Sequence, residues 1–339
     1  MKLDIYTHIF PSAYFAKLNE IITDKAKLKR WFNLDTLYDL KARFEIMDRY
    51  PDYAQVLSLS PPPLEALAGP DQTPEMARIA NDGLAELVDQ YPDRFPAWVA
   101  SLPMNNVAAS LEEIERAFAM GAVGVQLFTN IKGLPLDHPD FEPVLDLIVG
   151  KHGKPIWLHP ARTAQFSDYA SEKKSKYEIW WTFGWPYETS AAMARLVFSG
   201  FFERYPDMRV IAHHSGAMIP FFDGRVGHGW DELGSRTDDE DYESILKRMP
   251  QRPIDYFRQF YTDTAVLGSR SAIRCGIDFF GASQRTLFGT DFPFDKERGE
   301  LVIRDTIAAI DSLDISESDR TRIYYENAKK LLNLQNKKQ

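Results

Sequence analysis

The sequence is poor in cysteine and in long apolar runs. Cys275 is the single cysteine among 339 residues, which excludes an internal disulfide framework and fits a reducing compartment. No run approaches the roughly 18 apolar residues that a membrane-spanning helix needs. Lys2 is followed at once by a short strand containing Asp4 and His8, not by the apolar core of a signal peptide. We therefore expect a cytoplasmic protein without a membrane partner.

Positive charge is also scarce. Forty Lys and Arg stand against 49 Asp and Glu, giving a net charge of -9, and no basic stripe of the kind that binds nucleic acid is present. A glycine-rich phosphate-binding turn is missing after the first strand, so a doubly wound nucleotide-binding sheet is only the second choice of fold. The sequence signals no organic cofactor and no nucleic-acid partner.

Short apolar segments alternate with amphipathic helical stretches along the chain. Eight segments have strand character: 3–11, 54–59, 96–102, 124–128, 155–160, 209–214, 259–264 and 285–291. This number and this alternation predict an α/β fold, a (β/α)8 TIM-like barrel that forms one domain over residues 1–339. Insertions at 13–48, 160–188 and 226–256 are expected to cover the C-terminal face of the barrel.

Ligand-type side chains lie where the predicted strands end. They are His8, His159, His213, His214 and Asp291. The C-terminal ends of barrel strands meet at one face, where barrel enzymes place their active sites. Imidazole and carboxylate groups bind Zn²⁺ or Mn²⁺, and an imidazole that is not a ligand can act as acid or base near neutral pH. The pattern predicts a metal-dependent active site at this face.

Several motifs then carry a family resemblance. They occupy residues 4–11, 43–48, 55–58, 158–160, 184–189, 212–216, 220–225 and 289–293. In this order they resemble the decarboxylase branch of the amidohydrolase superfamily, which is related to α-amino-β-carboxymuconate-ε-semialdehyde decarboxylase and γ-resorcylate decarboxylase. The resemblance covers nearly the whole chain.

The resemblance implies roles for the residues at the strand ends. His8, His159 and Asp291 would bind one divalent metal ion, with Zn²⁺ preferred over Mn²⁺. His214 would be the acid/base histidine, and Asp291 could share the proton transfer. His213, beside it, would support the site or be structural.

Four further residues receive roles in the same way. Arg225 resembles an arginine that reaches the substrate carboxylate across the interface of a homodimer. Arg43 is a second candidate for that contact, with a salt bridge on a helix surface as the alternative. Trp185 and Glu188 would organise a loop around the site, and Trp185 could line the substrate pocket.

The first strand departs from the family pattern at Tyr6, where a histidine or glutamate is usual. A phenol ionises near pH 10 in water, so it binds a divalent ion well only if the metal lowers that pKa. Three interpretations stay open. Tyr6 could be a phenolate ligand, a hydrogen-bond donor beside a three-ligand metal, or the sign of a site that has lost its metal.

The resemblance implies a metal-dependent, non-oxidative decarboxylase, a carbon–carbon lyase, acting on a small aromatic or unsaturated carboxylic acid. The first alternative is a hydrolase or hydratase on the same scaffold, since fold does not decide chemistry. The second is an inactive barrel with a binding role.

Overall fold

The computed structural model describes residues 1–282 and 284–334. It contains ten short strand segments among those residues. These are β1 Lys2–Ile9, β2 Tyr53–Leu59, β3 Ala97–Trp98, β4 Ala100–Ser101, β5 Val125–Phe128, β6 Asn130–Ile131, β7 Leu134–Pro135, β8 Ile156–His159, β9 Val210–Ala212 and β10 Tyr261–Thr262.

Parallel pairing joins these segments into a barrel. One sheet has the order β1-β2-β3 and the other β10-β9-β8-β5-β4, while β6 and β7 form a separate antiparallel hairpin. Segments β3 and β4 flank Val99, whose N–H donates to Leu57 in β2, so they are one interrupted strand. Segment 285–292 pairs with β10 through Thr286 and with β1 through Phe292. The predicted eight-stranded TIM-like barrel is confirmed.

Helices surround the strands. They are α1 Ser12–Ile21, α2 Lys29–Phe32, α3 Leu40–Met47, α4 Leu64–Leu67, α5 Thr73–Gln90, α6 Val107–Ala119, α7 Glu142–Leu145, α8 Ile179–Thr182, α9 Gly184–Phe198, α10 Phe201–Arg204, α11 Tyr242–Arg248, α12 Pro253–Phe257, α13 Arg270–Phe280, α14 Glu300–Asp311, α15 Glu317–Thr321 and α16 Asn327–Leu332. Shorter 3₁₀ or π turns occupy Lys25–Leu28, Asp35–Leu37, Pro139–Phe141, Asp146–Lys151, Arg225–Gly229 and Arg322–Glu326.

The sequence explains the main elements. Every residue of β2 is buried, as expected for a parallel strand covered on both faces. Helix α5 has a proline in its first turn, and the Asn106 side chain accepts a hydrogen bond from Ala109 N–H at the start of α6. Among the described residues, no helix is long and apolar enough to cross a membrane.

Segment 13–48 contains three helices, which short turns at Lys25–Leu28 and Asp35–Leu37 separate. One expectation about the insertions needs correction. Segment 226–256 was expected to cover the mouth. Instead, the ring of Trp230 packs against Phe198 and Phe257 at centroid distances of 5.2 and 5.1 Å. This anchors the segment on α9 and α12.

Arg43, the second candidate for a substrate contact, is fully buried in α3. Its guanidinium donates hydrogen bonds to Gln55 Oε1 and to the carbonyl oxygen of His8, both at 2.8 Å. It also lies 4.7 Å from the centroid of the Phe292 ring. Burial lowers the pKa of Arg43 to about 9. These contacts join α3, β1 and β2 and differ from the substrate contact expected of this residue.

We predict that Arg43→Met lowers the free energy of unfolding by about 3 kcal/mol, because two buried acceptors lose a charged donor. Denaturant unfolding followed by circular dichroism measures this change. Arg49→Met is the matched control. Arg49 is half exposed in an ion pair with Glu300, and such pairs contribute about 1 kcal/mol or less. Equal stability of both variants would contradict the structural role of Arg43.

Candidate metal centre and active site

Four buried or nearly buried side chains meet at the C-terminal end of the barrel. His8 lies in β1, His159 ends β8, His213 follows β9 directly, and Asp291 lies in the segment that closes the barrel. One ligand atom from each lies within 4.8 Å of the others. The convergence follows from the parallel strands, whose ends deliver these side chains to one place.

Each of the three imidazoles is held by its Nδ1 atom. Nδ1 of His8 contacts Ser58 Oγ at 3.2 Å, and Nδ1 of His159 contacts the Pro160 carbonyl oxygen at 2.8 Å. Nδ1 of His213 bonds to the Asp263 carboxylate. A partner at one ring nitrogen fixes the tautomer and the orientation, and leaves the other nitrogen for a metal.

The spacing of the donor atoms fits a metal ion. Nε2 of His8 and Nε2 of His213 lie 3.2 and 3.4 Å from the same oxygen of Asp291, Oδ1. Neither nitrogen has a hydrogen-bond partner among the described residues. With bonds of 2.0–2.1 Å, two ligands of a tetrahedral zinc ion lie about 3.4 Å apart. Three imidazoles and one carboxylate also form a donor set that suits Zn²⁺ or Mn²⁺.

The charges in the cluster favour binding of a cation between its side chains. Burial opposes ionisation of Asp291, but His213, His214 and His8 together hold the pKa of its carboxyl well below the usual value. Burial lowers the pKa of His8 and, more strongly, of His159, which keeps both imidazoles neutral as metal ligands must be. Burial also acts against protonation of His213, but Asp263 and Asp291 outweigh it and raise the pKa to about 9. The same two carboxylates would favour a metal ion at Nε2 in place of that proton.

Tyr6 lies fully buried beside this group. Its ring stacks on the imidazole of His213, with a centroid distance of 3.6 Å and an interplanar angle of 10°. Its hydroxyl has no hydrogen-bond partner among the described residues. Burial raises the pKa of the Tyr6 phenol well above its ordinary value, and the nearby carboxylates of Asp263 and Asp291 raise it further.

His214 differs from the other histidines of the site. Its Nδ1 has no partner among the described residues, and its Nε2 lies 3.8 Å from Oδ2 of Asp291. Its ring continues a stack that runs from Tyr6 through His213 to His214, where the centroids are 3.7 Å apart, and on to Trp185 at 6.2 Å. His214 also has a φ of 59°, and Asp291 one of 63°. Such left-handed non-glycine residues are uncommon and cluster at functional sites.

A cavity of about 960 Å³ opens above the cluster, within the size range of small-molecule sites. His159, His214 and Asp291 lie in its wall. Most of the rest is aromatic or small, contributed by Trp31, Trp180, Trp181, Trp185, Phe221, Phe294, Ala265 and Ala272. Insertions 13–48 and 160–188 supply several of these rings, as predicted. None of the described lining residues comes from 226–256.

The first turns of α9, which carry Trp185 and Glu188, are fixed by polar contacts to the preceding segment. Trp185 Nε1 donates to the carbonyl oxygen of Arg162 at 3.1 Å, and the Arg162 guanidinium pairs with Glu188 at 3.1 Å. Asn130 donates to the other carboxylate oxygen of Glu188 at 3.3 Å. Trp185 and Glu188 both contact Arg162, in the segment that precedes α9, and Trp185 lines the cavity. Their loop-organising role stays a prediction.

The remaining sequence candidates lie elsewhere. Arg225 is exposed and is not among the described residues that line the cavity, and Arg43 is not among them either. Sequence reasoning missed Asp263, whose carboxylate also accepts hydrogen bonds from Ser215 N–H and Ala265 N–H at 3.0 Å. The signal was present, since Asp263 lies within the predicted strand 259–264, near its end.

We predict that the protein binds one divalent ion per chain, and that His159→Ala loses it, because one of four donors is removed. Elemental analysis after dialysis measures the stoichiometry. Added metal should stabilise the wild type, by about 2.7 kcal/mol at 100 times the Kd, and this gain should be absent in the variant. His228→Ala, whose side chain is 92% exposed, is the control. Equal metal content in His159→Ala and wild type would contradict the site.

Comparison with known proteins agrees with this geometry. The model of the amidohydrolase family matches residues 19–334. The chain is 28% identical to 2-amino-3-carboxymuconate-6-semialdehyde decarboxylase of Dictyostelium discoideum, over 98% of this chain and 92% of the relative. It is 31% identical to the γ-resorcylate decarboxylase of Polaromonas sp. strain JS666, over 86% of each chain.

A solved structure extends the comparison to the fold. The dihydroxybenzoic acid decarboxylase of Polaromonas sp. JS666, with bound manganese and the inhibitor 2-nitroresorcinol, superimposes with a TM-score of 0.77 and 27% identity, over 98% of this chain and 97% of that one. These relatives are decarboxylases, as the sequence motifs indicated. The chain belongs to the amidohydrolase family.

Proposed function

We propose that this chain is a metal-dependent, non-oxidative decarboxylase of a small aromatic or unsaturated carboxylic acid. One observation carries the proposal: the donor group of three imidazoles and Asp291 lies under a cavity with aromatic walls, and His214 lines that cavity beside Asp291. The two relatives compared above are decarboxylases, which supports the same reaction class.

The metal would be held by His8, His159 and Asp291, which meet at suitable spacing. When bound, a divalent ion supplies Lewis-acid polarisation of a carboxylate and of a neighbouring hydroxyl or carbonyl oxygen. No organic cofactor is part of the proposal. Zn²⁺ fits the imidazole-rich donor set, and Mn²⁺ is bound in a structural neighbour. Reconstitution with each ion separately would identify the more active form.

His214 would handle the proton. In the reaction the bond between the ring or chain carbon and the carboxylate carbon breaks, CO₂ leaves, and the electron pair stays on the substrate carbon. A proton from His214 then forms the new C–H bond, and the ionised carboxylate of Asp291, 3.8 Å from Nε2 of His214, would favour the protonated imidazole. His214 has no Nδ1 tether and faces the cavity, so it is better placed to exchange a proton than the held imidazoles.

Substrate orientation would come from two sources. The face of Trp185 and the neighbouring rings would contact the planar part of the substrate, while apolar walls exclude water and strengthen the electrostatics of the site. Arg225 is exposed in the single chain. In a homodimer, Arg225 of the partner subunit would reach the substrate carboxylate. Arg43 is left out, because its donors are engaged inside the protein.

Two wider expectations belong to the same proposal. The chain would act as one barrel domain over residues 1–339. It would work in the cytoplasm, because a single cysteine fits a reducing compartment.

The reaction class is tested by measuring CO₂ release from a panel of hydroxybenzoates and carboxymuconate-like acids, with enzyme loaded separately with Zn²⁺ and Mn²⁺. We expect at least one acid to yield CO₂ and the product with hydrogen in place of the carboxylate. In ²H₂O the product should carry deuterium at that carbon. Hydrolysis or hydration without CO₂ would favour the other chemistry of the scaffold, and metal-free protein inactive after reconstitution would favour a binding role.

We predict that His214→Asn lowers kcat by about 10²- to 10⁴-fold, the usual contribution of a positioned acid or base. Its metal content should stay unchanged, because His214 is outside the group of four donors. His228→Asn on the surface is the control and should keep full activity. Undiminished turnover by His214→Asn would assign the proton transfer to another residue.

A further inference from the structure

Three imidazoles of the site share one arrangement. His8, His159 and His213 each have Nδ1 held by an oxygen atom, and each directs Nε2 toward the common centre. Their rings lie at centroid distances of 5.2 to 6.4 Å from one another. By geometry, therefore, His213 is equivalent to the two histidines that the first and fifth strands of the barrel supply.

Nε2 of His213 has no hydrogen-bond partner among the described residues. It is buried and lies 3.4 Å from Oδ1 of Asp291. Nε2 of His8 is in the same position relative to that oxygen, at 3.2 Å. A buried polar atom without a partner is destabilising, and a shared metal ion would satisfy both nitrogens at once.

The environment of His213 does not suit a residue that contacts substrate. It is fully buried and is not among the described residues that line the cavity, unlike His214. Its Nδ1 is fixed by Asp263, whose second oxygen is itself held by two backbone N–H groups. Carboxylate–histidine pairs of this kind orient metal ligands.

Tyr6 contacts His213 through its ring. The two rings are nearly parallel at 3.6 Å, so the phenol covers the face of the imidazole and leaves the Nε2 edge free. Since Tyr6 and His8 point to the same side of β1, the strand brings one ligand and the support of another ligand to the centre. The packing gives the ring of Tyr6 a supporting contact with His213. Its hydroxyl also has no hydrogen-bond partner among the described residues, so the two parts of the side chain are tested separately below.

We propose that His213 is the fourth protein ligand of the metal centre, with Tyr6 and Asp263 as the residues that position it. This assignment rests on the metal-dependent function proposed above. It replaces the supporting role expected for His213 and the ligand role considered for Tyr6.

The test uses Co²⁺, whose visible absorption depends on its ligands, in full-length protein freed of metal. Affinity is measured by competition with a chromogenic chelator. We expect His213→Ala to lose more than 100-fold in Co²⁺ affinity and to change the spectrum of any cobalt still bound. Asp263→Asn should lose about 10- to 100-fold, as outer partners of metal ligands do, and should keep the spectrum type.

The variant Tyr6→Phe distinguishes a Tyr6 that supports His213 from a Tyr6 that binds the metal, because it keeps the stacked ring and removes the hydroxyl. We expect its Co²⁺ affinity to stay within twofold of wild type and its spectrum to be unchanged, whereas Tyr6→Leu should lose about tenfold in affinity. A changed spectrum or a large loss of affinity in Tyr6→Phe would overturn the proposal and make the phenol a ligand. Unchanged binding in His213→Ala would overturn it as well.

Folding is checked independently. If His213→Ala does not fold, His213→Asn, which keeps a polar side chain, is measured in its place. His213→Gly is measured alongside, with and without added imidazole, which can occupy the emptied space. Recovery of the cobalt spectrum on adding imidazole supports the assignment, and the lack of any recovery in folded protein contradicts it. The cobalt measurements do not depend on turnover. If the chain binds cobalt through His213 but releases no CO₂ in the panel assay, the proposed function is contradicted and the ligand assignment stands.

Discussion

The carboxylate of Asp291 is the group on which the rest of the site depends. An ionised carboxylate is expensive to bury unless opposite charge or hydrogen-bond donors surround it. Here imidazoles of His8, His213 and His214 approach its two oxygens at 3.2 to 3.8 Å. The backbone of Asp291 also donates to the carbonyl oxygen of Tyr6 at 3.1 Å. The residue that gathers the imidazoles therefore also helps to close the barrel, which couples the site to the fold.

The barrel explains much of what the sequence could predict. Apolar segments separated by helical stretches indicate parallel strands, and parallel strands end at one face, so His8, His159 and Asp291 could be brought together without coordinates. The alternation of apolar and helical segments does not predict where a side chain points once the strand has ended. His213 and His214 are neighbours in sequence, and the left-handed backbone at His214 helps to give them different surroundings. The sequence pattern did not separate their roles.

Other differences have the same physical origin. A helical pattern cannot tell whether an arginine faces solvent or a neighbouring strand. Arg43 faces β1 and β2, where the His8 carbonyl oxygen and Gln55 Oε1 accept its hydrogen bonds. The pattern likewise assigned Asp263 to a strand without showing that its carboxylate points to an imidazole. Segment 226–256 has no signal for the surface on which it packs. Tertiary contacts decide each of these cases.

The stack of rings from Tyr6 to Trp185 connects the base of the barrel mouth with its wall. Tyr6 supports His213, His213 lies against His214, and His214 faces Trp185. Since the strand ends converge, any of several strands can supply a ligand to one centre, and a phenol at Tyr6 is compatible with a metal site if a neighbouring strand contributes the imidazole. The departure from the family pattern at Tyr6 is then not evidence of a lost metal. In the proposed assignment the missing ligand is supplied by His213, whose ring packs against the ring of Tyr6.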